Sequence, residues 1–192
     1  MLQASFFLSL KVRGALAKGG NANSSDRNGT SALQLAVKHG HVEVVQVLLD
    51  SPELALNSQF QFHDDGTPLQ VAARHGNEKI VQLLINDQRM DVNVTDDECN
   101  TPLHYAAKRG HNRIVVLLLN HPQIKANFKN KEGQTPLTSA LVRKMVDCVR
   151  DMLIHPKVDL DTVDVWGWGL DKVATMIFDR LAFSLFLFWL KK

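Results

Sequence analysis

Thr101-Pro102-Leu103-His104-Tyr105-Ala106-Ala107-Lys108-Arg109-Gly110-His111 is the stretch from which the rest of the chain can be organised. A threonine just before a helix caps it, its oxygen accepting from a free N–H of the first turn. Proline directly after it suits the first helical position, where a missing N–H costs nothing. Leu103 and Ala106, three residues apart, make one apolar stripe on a short helix. The small alanine lets a neighbouring helix approach closely. Gly110 ends the helix, because a left-handed backbone is cheapest for glycine.

The same reading applies three more times. Ser31-Ala32-Leu33-Gln34-Leu35-Ala36, Thr67-Pro68-Leu69-Gln70-Val71-Ala72-Ala73 and Thr135-Pro136-Leu137-Thr138-Ser139-Ala140 align with it, and the helix starts lie 36, 34 and 34 residues apart. In the first copy Ser31 takes the threonine place and Ala32 the proline place. A second apolar helix follows each of the first three: Val44-Val45 with Leu48-Leu49 after Gly40, Ile80-Val81 with Leu83-Leu84 after Gly76, and Ile114-Val115 with Leu117-Leu118 after Gly110. One such pair cannot bury its apolar face, but stacked copies can, so the array is expected to fold by contacts between neighbours.

This period and pattern resemble the ankyrin repeat, a short TPLHxAAxxGH helix followed by an apolar helix. The resemblance implies an all-α solenoid of stacked helix–turn–helix units. Loops such as Asp91–Asp96 and Asn130–Gly133 would form β-turn fingers. It further implies a scaffold that binds a protein partner across a concave face of finger tips and first helices. Register places Arg27 and Asn28 in the first finger, Asp64 and Asp65 in the second, Glu98 and Asn100 in the third, Lys131 and Gln134 in the fourth, and Trp166 and Trp168 in the last. First-helix candidates are Gln34, Lys38, Gln70, Arg74, Tyr105 and Lys108. Exposed aromatics are favoured interface anchors, which singles out the two tryptophans, although Trp is also largely buried on average. Mixed charge signs point to no single class of partner.

Two departures stand out. Lys144 stands where earlier copies have glycine, so a strained or reshaped turn is expected. Cys99 takes the usual finger-glycine place, which puts a standard turn there in doubt.

The ends differ from the middle. Residues 1–25 read as a half repeat closing the stack, residues 26–163 as four repeats, and residues 164–192 as a degenerate fifth repeat without the Thr-Pro pair. The open half repeat suggests a fragment, short isoform or regulatory piece of a longer array. The apolar run Leu181–Leu190 is read in three ways: the last helix of a cap or a partner helix, a membrane tether, or a tail without packing. A spanning helix needs about 20 apolar residues, and Asp179-Arg180 interrupts this one. The apolar start, Met1 to Leu10, lacks the positive region and cleavage site of a signal peptide.

Composition points away from chemistry. A formal net charge of +2 creates no strong field toward nucleic acid, and none is expected as partner. Cys99 and Cys148 have no CxxC companions and read as reduced thiols. His39, His75, His104 and His111 recur with the repeat and would be spread along it rather than converge on a metal. No phosphate-binding, HExxH or GxSxG motif occurs. The expectations are therefore no catalytic residues, no cofactor, no metal, a monomer, and a cytoplasmic or nuclear location.

Overall fold

The computed structural model describes residues 2–27, 29–58 and 66–161, with side chains from Phe7 onward. Among these residues nine helices follow one another: α1 (Leu2–Ala17), α2 (Ala32–Lys38), α3 (Val42–Leu49), α4 (Pro68–His75), α5 (Glu78–Ile85), α6 (Pro102–Arg109), α7 (Asn112–Asn120), α8 (Pro136–Val142) and α9 (Val146–Leu153). The chain divides into two compact units, Met1–Asp96 and Asp97–Lys192. The degenerate fifth repeat, its tryptophans and the Leu181–Leu190 run lie outside the described residues.

In the first unit α2 pairs with α3 and α4 with α5, while α2 packs on α4 and α1 and α5 pack on α3. Helix α1, packed on α3, is 16 residues long against eight for α3. In the second unit α6 pairs with α7 and α8 with α9, with α6 on α8 and α7 on α9. The apolar stripes close these contacts: Leu33, Val37, Val45 and Leu48 are buried in the first unit, and Leu103, Ala106, Val115, Leu118, Leu141 and Met152 in the second.

Three of the four first helices start with the side-chain cap their sequence predicts, while Thr67 Oγ1 at the second is buried without a hydrogen-bond partner. Ser31, Thr101 and Thr135 each accept from the N–H three residues on, and Pro68, Pro102 and Pro136 lie in the first turn. The third helical residue answers the cap. Gln34 Oε1 accepts from the Ser31 N–H at 2.7 Å, Gln70 Oε1 from the Thr67 N–H at 2.7 Å, and His104 Nδ1 from the Thr101 N–H at 3.1 Å. This reciprocal arrangement satisfies two otherwise orphaned donors. The other end of each side chain reaches the loop of the next repeat: Gln34 Nε2 donates to Ser58 O at 3.4 Å, Gln70 Nε2 to Val94 O at 3.5 Å, and His104 Nε2 to Gln134 O at 2.9 Å.

First helices end in a left-handed residue. Gly40, Gly76 and Gly110 have φ of +69°, +76° and +76°, and Lys144 has φ of +59°. The Lys144 turn is therefore strained but not reshaped: Met145 N–H reaches Ala140 O as His111 N–H reaches Ala106 O. A non-glycine residue held there costs about 1–3 kcal/mol. Cys99, with φ of +59°, likewise keeps the handedness of Gly29 (+75°) and Gly133 (+70°), so the third finger retains the left-handed residue that the missing glycine put in doubt.

Loop backbones are tied to the following repeat by asparagines. Asn23 Nδ2 donates to Glu53 O and Asn23 Oδ1 accepts from Ala55 N–H. Asn57 makes the same pair of bonds to Arg89 O and Asp91 N–H, and Asn127 to Lys157 O and Asp159 N–H. Asn23 and Asn57 are 34 residues apart, whereas the caps Ser31 and Thr67 are 36 apart, as are Asn57 and Asn93. The two additional residues of the first interval thus fall between Ser58 and Thr67.

Cations hold the ends of second helices. The Arg89 guanidinium donates to Leu49 O, Ser51 O and Pro52 O and pairs with Asp87. Lys157 Nζ, two repeats further on in register, donates to Leu119 O and His121 O. Both place positive charge against the unsatisfied carbonyls of a helix C-terminus. The side-chain hydrogen bond from Arg89 is the main cause that holds the Asp87 carboxyl below its ordinary value of 3.8, against a smaller opposing effect of burial.

Two outcomes are expected. Asn127→Ala leaves two loop backbone groups without their partners and should lower unfolding free energy by ~1–3 kcal/mol in urea titration. A depressed folded-state pKa gives stability that is present above the unfolded value and lost as pH falls through the folded one. Arg89→Met should therefore flatten the decline in stability below about pH 4, measured by urea midpoints across that range.

Candidate protein-binding surface

In the first and fourth fingers the polar groups close on themselves. In the first, Asp26 N–H donates to Thr30 O, Asp26 Oδ1 accepts from Thr30 N–H at 2.9 Å, and Gly29 N–H returns to Asp26 O. Ser25 and Ser31 form an antiparallel bridge at its base. Asn130 repeats this in the fourth finger with Gln134 and Gly133.

In the second unit the candidates converge. Lys131 N–H donates to Glu98 O at 3.0 Å, and Lys131 Nζ lies 3.6 Å from Glu98 Oε1. Asn130 Nδ2 donates to Asn100 Oδ1 at 3.0 Å, and Ser139 Oγ donates to Gln134 Oε1 at 3.3 Å. Glu98, Asn100, Lys131 and Gln134 therefore belong to one linked pair of fingers. The Glu98 and Lys131 side chains are 68% and 57% exposed, so their ion pair is screened and worth little to stability. Tyr105 is half-buried on α6 and Lys108 is exposed at its end.

In the first unit Arg27 and Lys38 are exposed and Arg74 is half-buried. Gln34 and Gln70, expected on the partner face, are instead buried at 1% and 0% exposure. The correction has a plain cause: both amides are consumed by the reciprocal cap and the loop of the next repeat. Asn28, Asp64, Asp65, Trp166 and Trp168 lie outside the described residues. A polar cleft of about 180 Å³ lies among Asn23, Ser25, Ser31, Gln34 and Ser58, smaller than the ~300–1,000 Å³ typical of small-molecule sites.

Helix pairs and Thr- or Ser-started first helices recur along the described residues, and a family model for ankyrin repeats (3 copies) matches residues 4–96 and 88–164. The chain belongs to the ankyrin-repeat family. No curated protein matches it. Ankyrin repeats are generally protein–protein interaction modules, and this all-α repeat solenoid is a binding scaffold of that kind.

Other chemistry is sparse. No group of three metal-ligating side chains occurs among the described residues, and no described helix is long and apolar enough to cross a membrane. Two of the recurring histidines bond to backbone carbonyls: His104 to Gln134 O of the next repeat and His75 Nδ1 to Val71 O at 2.9 Å. Sequence reasoning missed Asn130 and Ser139 as the groups that position Asn100 and Gln134. The recurrence of Asp or Asn four residues before the last finger residue (Asp26, Asp96, Asn130) was the signal for the first.

Both cysteines are free. Burial first, then the charges of Asp151 and Asp147, push the Cys148 thiol up to about 11, whereas Cys99 is half-buried in a finger. The native protein should accordingly take up thiol reagent at Cys99 near pH 8, with Cys148 reacting only in denaturant, as peptide mapping by mass spectrometry will read.

Proposed function

We propose that the chain is a non-catalytic adaptor that recognises a protein partner through its finger and first-helix side chains, in the reducing environment of the cytoplasm or nucleus. The linked third and fourth fingers carry this reading. Their backbones are joined by the Lys131 N–H bond to Glu98 O, which lowers the ordering entropy left to lose on binding. Glu98 and Lys131 meanwhile stay exposed. Tyr105, beside them in register on α6, offers the amphipathic aromatic surface that interfaces favour. Both cysteines being unpaired fits a reducing compartment.

The test is proximity labelling in cells with the full chain, a finger variant (Glu98→Ala, Tyr105→Ala, Lys131→Ala) and a control altered at exposed second-helix positions (Gln46→Ala, Gln82→Ala, Val116→Ala). The finger variant should lose the labelled set that the wild type and the control share. Loss confined to the control would place recognition on the second helices and overturn the reading.

A further inference from the structure

The edge of the second unit where α6 and α8 end carries a charge pattern that neither the stack nor the fingers use. Lys108 and Arg109 close α6, Arg143 caps α8, and Lys144 follows it; all four are exposed. The two turns are neighbours, since a Cβ on Gly110 would lie 2.7 Å from Met145 Sδ. None of the four cations is joined to a carboxylate of the described residues. The acids that follow in sequence are already engaged: Asp147 pairs with Arg150, and Asp151 Oδ2 accepts from Asn112 Nδ2 at 2.9 Å. Four cations thus gather on one edge although the whole chain carries only +2.

Favourable interaction with the helix dipole accounts for a cation in the last turn of a helix. It does not account for Lys144, which lies beyond the helix in a left-handed conformation that the three preceding repeats give to glycine. Nor does it account for the apolar side chains around it. Val142 and Val146, 46% and 52% exposed, stand where the third repeat has Lys108 and Asn112. The fourth repeat therefore trades polar groups for two valines that bracket Arg143 and Lys144.

We propose that this edge docks an acidic, extended protein segment carrying an apolar residue that rests on Val142 and Val146. The proposal rests on the adaptor reading and names its partner's chemistry. Packed helices lie about 8–10 Å apart, and an extended chain rises ~3.3 Å per residue. Acidic side chains three residues apart in the partner therefore match Arg109 and Arg143, with the apolar residue between them. Charge steers and selects the segment, and the valines supply apolar contact that a simple polyanion cannot use.

The experiment titrates the full chain by fluorescence anisotropy against a labelled peptide with glutamate at every third position around one leucine. Comparison probes are the same peptide with glutamine for glutamate, the same with serine for leucine, a single-stranded oligonucleotide, and vesicles of phosphatidylserine in phosphatidylcholine. The acidic peptide should bind best, more weakly as salt rises. Arg109→Gln with Arg143→Gln should weaken it about tenfold, within the range that lost charge pairs produce. Lys144→Gly should weaken it while raising the thermal midpoint, which separates a binding role from a folding one. Equal binding of the glutamine peptide, indifference to these substitutions, or preference for the oligonucleotide or the vesicles would each overturn the proposal. If the peptide fails while proximity labelling still depends on Glu98, Tyr105 and Lys131, the adaptor reading stands and this edge alone is excluded. If labelling also survives the finger variant, both fall.

Discussion

A repeat of this size cannot satisfy its own backbone, and the side-chain amide that reaches across to the next repeat is what the architecture depends on. Loop carbonyls and N–H groups that cannot join a helix take their partners from side chains or from water. Asn23, Asn57 and Asn127 provide those partners with one side chain each, one nitrogen donating and one oxygen accepting. The buried Gln34, Gln70 and His104 do the same on the finger side. Apolar contact drives neighbouring repeats together within each unit, and these directional bonds set the register in which they meet.

Much of this was legible in the sequence. The Thr-Pro pair, the stripe of leucine and alanine and the terminal glycine each specify a local geometry, and agreement among them over several copies leaves little freedom for the fold. The surface was harder to read. Gln34 and Gln70 are polar residues on short amphipathic helices, and polarity at such a position ordinarily means solvent. Their burial follows from hydrogen bonds to a loop in another repeat, which periodicity does not encode. The clue was His104: the same position, third in its helix, held a residue already read as structural. Lys144 and Cys99 were legible as departures, but their outcome was not. Backbone strain at one residue yields when the hydrogen bonds on both sides, such as Met145 N–H to Ala140 O, are kept.

The candidate surface divides the labour between backbone and side chain. Asp26 and Asn130 spend their side chains on closing the finger, while neighbouring side chains point charge toward solvent. Glu98 and Lys131 illustrate the result: their main chains are bonded to each other while their charged ends remain mostly in water. Identity at such positions can change without cost to the stack, which is why one scaffold serves many partners and why fold alone does not name them.

The spacing of the asparagines has an evolutionary consequence. Asn23 and Asn57 keep the common interval although the flanking helix starts do not, so the two additional residues are confined to the stretch between Ser58 and Thr67. Length can therefore vary between Ser58 and Thr67 while the asparagines before it keep the common interval. Insertion and deletion, usually the most damaging of genetic changes, are here compatible with the repeat wherever they leave those side-chain joints in phase.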